Sequence, residues 1–165
     1  MIVVSDTSPL IYLARLQRLD LLRVLYGRIV VPPSVHRELA SGASWEVALD
    51  AIGDWIEVIA PANPLRVQSL RETLDAGEAE GIALAEELGA ELLLIDERSG
   101  REAAKRGGLR AYGVLGVLLE AKRSGAISLI GPELVRLRRE TTFRASSAAF
   151  DDALRLAGEP VAFSP

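Results

Sequence analysis

This chain has no cysteine, which excludes disulfides, thiolate zinc sites and cysteine nucleophiles and makes a reducing cytoplasm a compatible compartment. It has one histidine, His36, so the two-imidazole acid/base pair used by some nucleases is excluded. No basic leader precedes the first acid, and no apolar stretch approaches the ~18 residues of a membrane span. The sequence therefore predicts a soluble, cytoplasmic protein with no membrane partner. The phosphate-cradling GxxxxGK(S/T) loop, the dinucleotide turn GxGxxG, the hydrolase elbow GxSxG and the zinc pair HExxH are all missing. Lysine is scarce: of 19 basic residues only Lys105 and Lys122 are lysine. The rest are arginines, the better bidentate partners for phosphate.

What is present suits one buried core. With 165 residues, 49% of them hydrophobic, the chain is long enough for a single domain and too short for two. One domain over residues 1–158 is expected, with an irregular tail over 159–165. The net charge of −4 is a poor sign for a polyanionic partner, but the distribution matters more than the sum. Residues 1–96 carry 7 basic and 15 acidic side chains, residues 97–145 carry 11 and 5, and the remainder carries 1 and 3. The segment after Asp96 is therefore strongly basic.

Hydrophobic patterning predicts alternating strands and helices. Ile2, Val3 and Val4 form a β-branched run without polar alternation, as in a parallel strand buried on both faces. Asp6 ends it, and a helix follows with Ser8 as N-cap and Pro9 at its first position. A second helix ends at Gly27, and Arg28–Val31 forms the next strand. Helix resumes at Pro33 or Ser34 and runs toward Ser41. Trp45, Leu49 and Ile52 share a helical face, and Trp55–Ile59 reads as a third strand. Both tryptophans read as core rather than as base-stacking platforms. A helix over about residues 65–74 leads to Gly77, another passes through Ile82, Ala85 and Leu88 to Gly89, and Glu91–Asp96 is a fourth strand ending in a carboxylate. Ser99–Arg106 is helical, Leu109–Gly113 a weak fifth strand, Val114–Arg123 a helix, and two further helices follow. This order predicts a three-layer α/β/α domain with a mainly parallel sheet of about five strands.

Four acids fall where such a sheet binds ligands. Asp6 and Asp96 end strands, and neighbouring strands would bring both to one carboxyl edge. Glu38 and Glu78 lie on helices that begin beside that edge. Four carboxylates without matching bases repel one another, and a hard divalent cation, Mg2+ or Mn2+, resolves the repulsion through oxygen ligands. Such a site serves phosphoryl hydrolysis. His36, two residues from Glu38, points to another helix face and reads as surface or packing. Each acid also has an ordinary reading as a turn, cap or first-turn residue. An acidic phosphotransfer domain of the receiver or haloacid type fits less well, because the position two residues after Asp6 is Ser8.

The stretches VVSDTSPLIYLARL, VVPPSVHREL, LDAGEAEGIALAEELGAELLLIDERSGREAAKRGGL and YGVLGVLLEAKRSGAI resemble the PIN domain, the nuclease fold of VapC-like toxins of toxin–antitoxin pairs, in a poorly characterised branch. They cover most of residues 1–130. The resemblance places the family's motif acids on Asp6, Glu38, Glu78 and Asp96. It implies a magnesium-dependent ribonuclease acting on RNA, a toxin with an antitoxin protein as possible partner, and a homodimer. The alternative in a different class is a catalytically weak PIN-like module that binds RNA or protein. The chain departs from the family where Glu78 replaces the usual aspartate and where Leu94 stands in place of a hydroxyl. Glu97 is available as an additional outer carboxylate.

Two assignments follow. With Ile82 at zero and about 100° per residue, Glu78 falls near 320°, in the buried arc with Ala85 and Leu88, and Glu80 near 160°, beside Glu87 on the solvent face. Glu78 is thus the expected ligand. Arg98 and Arg101, which follow Asp96 directly, are the expected contacts to substrate phosphate.

Overall fold

The computed structural model describes residues 1–41 and 54–161. Five strands form one all-parallel sheet: β1 (Val3–Ser5), β2 (Ile29–Val31), β3 (Ile56–Val58), β4 (Leu92–Leu94) and β5 (Ala111–Tyr112), in the order β3-β2-β1-β4-β5. Among the described residues the helices are α1 (Thr7–Arg15), α2 (Asp20–Tyr26), α3 (Pro33–Ser41), α4 (Pro64–Leu70), α5 (Ala76–Leu88), α6 (Arg98–Arg106), α7 (Val114–Arg123), α8 (Gly131–Glu140) and α9 (Ser147–Leu156). The strand pairs Val4↔Val30 and Val4↔Leu93 set β1 between β2 and β4.

Both faces of the sheet are covered, which is why the strands need no polar alternation. Val3, Ile29, Val31, Leu92 and Leu94 face one core with α1, α2, α3, α7, α8 and α9. Val4, Val30, Leu93 and Ile95 face the other, with α4, α5 and α6. The chain runs from β1 outward through β2 to β3, then returns across to β4 on the other side of β1. That reversal puts the topological switch point between β1 and β4, whose carboxyl ends are the usual ligand position in such sheets. Asp6 and Asp96 flank it.

Several local expectations need correction. β1 is Val3–Ser5, and Ile2 is 39% exposed. Helix α1 begins at Thr7, so Asp6 and not Ser8 occupies the N-cap position. Pro9 is tolerated within this first turn because the N–H it lacks would have no intrahelical partner there. The helix expected over residues 65–74 ends at Leu70. Gly77 does not end a helix but lies in the first turn of α5, which Asp75 initiates through a capping box with Glu78. The helix expected through Trp45 and Ile52 lies outside the described residues. Trp55 is buried in the core, as expected, and His36 is exposed. The start of the tail is anchored: Glu159 pairs with Lys122 at 2.7 Å and accepts from the Ile130 and Gly131 N–H groups. Among the described residues, no helix is long and apolar enough to cross a membrane.

Candidate active site

Asp6 leaves β1 with its N–H donating to the Leu94 carbonyl at 2.9 Å, which ties it to the neighbouring strand. Its side chain does not cap α1 and is only 4% exposed. Burial pushes its carboxyl up to about 7, a hydrogen bond with the Thr7 backbone opposes the rise, and Asp75, Glu78 and Glu38 add to it. The charges acting on Asp6 are thus all negative.

Glu78 is also 4% exposed. Its Oε2 accepts from the Asp75 N–H at 3.1 Å while Asp75 Oδ1 accepts from the Glu78 N–H at 2.9 Å. Its Oε1 is buried without any hydrogen-bond partner. Burial raises the Glu78 carboxyl, with Asp75 and Glu97 contributing. Glu38, exposed on α3, accepts a 2.7 Å hydrogen bond from Thr7 Oγ1. The hydroxyl that follows Asp6 thereby links the end of β1 to α3.

The structure brings Glu38 and Glu78 each within electrostatic reach of Asp6 and ties Asp96 to a different element. Asp96 Oδ1 accepts from the Val114 N–H at 3.0 Å, so it caps α7 across the sheet edge, while Oδ2 is buried and unpartnered. Burial pushes Asp96 up to about 6; the Val114 bond and Arg101 lower it, and Glu97 raises it. Glu97 acts on both Glu78 and Asp96 and so lies electrostatically between the two groups. Among the described residues, no three acids or imidazoles are arranged to hold one ion as they stand.

Three glycines make room for the buried acids. A Cβ on Gly77 would come 2.7 Å from Asp6 Oδ1 and 3.6 Å from Asp75 Oδ1, and one on Gly100 would come 2.9 Å from Glu78 Oε1. One on Gly113 would collide with Asp96 Oδ1. The oxygen-only donor set, the two orphaned oxygens and these cradles fit a hard divalent cation. Asp6, Glu78 and Glu38 would hold it, with Asp96 at the margin. Gly77→Ala is expected to keep the fold, since alanine favours helix by about 1 kcal/mol over glycine, yet to weaken binding of a divalent cation at least tenfold by displacing Asp6. Wild-type calorimetric affinity for magnesium together with an unchanged circular dichroism spectrum would refute that role for the cradle.

Asp75 is the acid that the sequence reading missed; the pattern Asp-Ala-Gly-Glu at 75–78 is a capping-box signal that reveals it. Glu80 does not face open solvent. It is half-buried, and its Oε2 accepts from the Ser34 N–H at 3.0 Å in the first turn of α3. Arg98 pairs with Glu102 at 2.8 Å on the surface of α6, whereas Arg101 donates to the Asp96 carbonyl.

A protein family described as a PIN domain matches residues 2–159. No curated protein matches the chain. Among solved structures, a PilT N-terminus domain protein from the hyperthermophilic archaeon Sulfolobus solfataricus is similar at 20% identity and a TM-score of 0.49, covering 71% of this chain and 90% of that one.

Proposed function

Because this chain belongs to the PIN-domain family, whose members are typically nucleases, we propose that it is a divalent-metal-dependent endoribonuclease centred on Asp6, Glu38, Glu78 and Asp96. The observation that carries the reading is that Asp75, Glu78 and Glu38 all act on the buried Asp6 at the carboxyl edge, with Glu78 buried as well and one of its oxygens unpartnered. Leaving charged groups buried and unpaired costs several kcal/mol, a cost that a fold retains where a cation is to be bound. Magnesium or manganese there supplies charge neutralisation on the phosphate and a water of lowered pKa.

The chain's own residues do the rest. Asp6 and Glu78 present oxygens from rigid element ends, the first held by backbone pairing to β4 and the second by the capping box. Thr7 orients Glu38 through its hydroxyl. Asp96, fixed on the α7 N-terminus by Oδ1, keeps its buried Oδ2 without a hydrogen-bond partner, so that oxygen is available to accept a proton. The basic segment after Asp96 draws the polyanion toward an otherwise acidic edge. A toxin role, an antitoxin partner and a homodimer belong to the same reading and rest on the resemblance of the motifs to VapC-like toxins.

The test is incubation of the purified protein with a mixed RNA pool in magnesium or in chelator, followed by end mapping. Discrete new ends that appear only with magnesium are expected. A second reading, a catalytically weak RNA- or protein-binding module, is favoured by one observation, the engagement of Asp96 in capping α7. Calorimetric titration separates the two: saturable magnesium binding that Asp6→Asn removes supports the nuclease, and its absence supports the module.

A further inference from the structure

Beside Asp96 the carboxyl edge opens into a cavity of about 580 Å³ between α6, β5, the start of α7 and the α8–α9 connection. Four cations line it, Arg98, Arg101, Lys105 and Arg144, against a single carboxylate, Asp96. Arg98 is committed to Glu102 and its side chain is 86% exposed. The other three make no ion pair with a carboxylate among the described residues. Arg101 donates to the Asp96 carbonyl, and Arg144 donates to the Phe143 carbonyl at 2.9 Å. Those bonds fix each guanidinium, and because Asp96 and Glu102 lie within electrostatic reach of Arg101, its charge is compensated only in part. Arg101 and Lys105 are one turn apart on α6, so they share a face, and Arg144 reaches the same cavity from a separate segment of the chain. Like charges converging from two elements repel unless an anion fills the space between them.

We propose that this cavity holds the nucleotide of a single-stranded RNA adjoining the bond to be cut, its phosphate met by Arg101, Lys105 and Arg144. The inference rests on the nuclease reading above. A volume within the ~300–1,000 Å³ of small-ligand sites accepts one nucleotide and excludes a duplex. Guanidinium forks match phosphate oxygens in bidentate fashion. Tyr112, whose hydroxyl is held by that of Tyr26 at 2.9 Å and whose ring lies under the Arg110 guanidinium at 5.5 Å, gives the wall a fixed, half-buried side. Because Asp96 borders the cavity, a strand lying in it passes against a carboxylate of the proposed site. Lys105 and Arg144 thereby replace Arg98 as the phosphate contacts beside Arg101.

The test measures anisotropy of a labelled single-stranded RNA oligonucleotide over a range of salt in chelator, where metal-dependent cleavage does not proceed. Lys105 and Arg144 are exposed, so Lys105→Ala with Arg144→Ala keeps the fold, which a thermal melt checks. This double variant is expected to weaken binding about tenfold or more and to flatten the slope of log affinity against log salt by about 0.7, the value for one neutralised phosphate on a single strand. The control, Arg23→Ala with Arg71→Ala, removes two exposed charges outside the cavity and is expected to change affinity less than about twofold. Equal weakening in both pairs, or no weakening in the first, overturns the inference. So does competition by a hexaglutamate peptide as effective as that by the oligonucleotide, which makes the cavity a site for an acidic peptide. If the cavity variants lose binding while the wild type fails to cut RNA in magnesium, the cavity stands and the nuclease reading falls. The reverse, normal cutting by the wild type with binding intact in the variants, overturns the cavity alone.

Discussion

Asp6→Asn is expected to abolish magnesium-dependent cleavage and at the same time to yield a protein that melts at a higher temperature than the wild type in chelator at about pH 8. The two effects share one cause. The Asp6 carboxyl titrates at about 7 in the fold against 3.8 ordinarily. Between those values the folded protein retains a proton that the unfolded chain has released, so stability falls as pH rises through this window. The favourable contribution is fully present below about pH 4 and fully lost above about pH 7. Asparagine has no charge to bury and keeps an oxygen for the Thr7 backbone bond, so the variant escapes the loss. Its Tm is expected to exceed that of the wild type by about 5 °C or more at pH 8 and to match it near pH 4. Asp96 and Glu78, both raised by burial, account for the pH slope that remains. Saturating magnesium is expected to raise the wild-type Tm and to leave that of Asp6→Asn unchanged. Scanning calorimetry with and without metal checks all three points. A variant that cuts RNA, or one less stable than the wild type at pH 8, would sink the assignment of Asp6.

Glu78→Gln is expected to lower cleavage about 100-fold or more, the scale of losing one preorganised charge-stabilising group. The amide keeps an acceptor for the Asp75 N–H, so the capping box survives and the melting temperature in chelator does not fall; only the charge is lost. Glu80→Gln is expected to cut near the wild-type rate, because its amide oxygen still accepts from the Ser34 N–H. The reason differs from the one that the helical wheel suggests: Glu80 holds the first turn of α3 and does not stand idle on a solvent face. Glu80→Ala removes the acceptor on the α3 first turn, costs about 1 kcal/mol, and lowers Tm by about 2–4 °C. Equal cleavage by Glu78→Gln and Glu80→Gln, measured on the same RNA, would remove Glu78 from the site.

The layer architecture was readable from the chain alone, because burial on both faces of a parallel sheet leaves uninterrupted apolar runs such as Val3–Val4 and Leu92–Ile95, whereas the family was legible only in the resemblance of the motifs. The positions of Asp6 and Asp96 after their strands followed from the same runs, and the buried arc of α5 identified Glu78 before any contact was known. What sequence could not supply was the direction of each carboxylate. Asp96 turns to the Val114 N–H, 18 residues ahead in the chain, and Glu80 reaches back 46 residues to Ser34. Asp75 joins Asp6 because both crowd the missing side chain of Gly77. Lys105 and Arg144 meet only because the α8–α9 connection folds back over α6. Periodicity reports which face of an element is buried, since that depends on neighbours three or four residues away. The partner of a polar group depends on the packing of elements distant in sequence, and only the tertiary structure decides it.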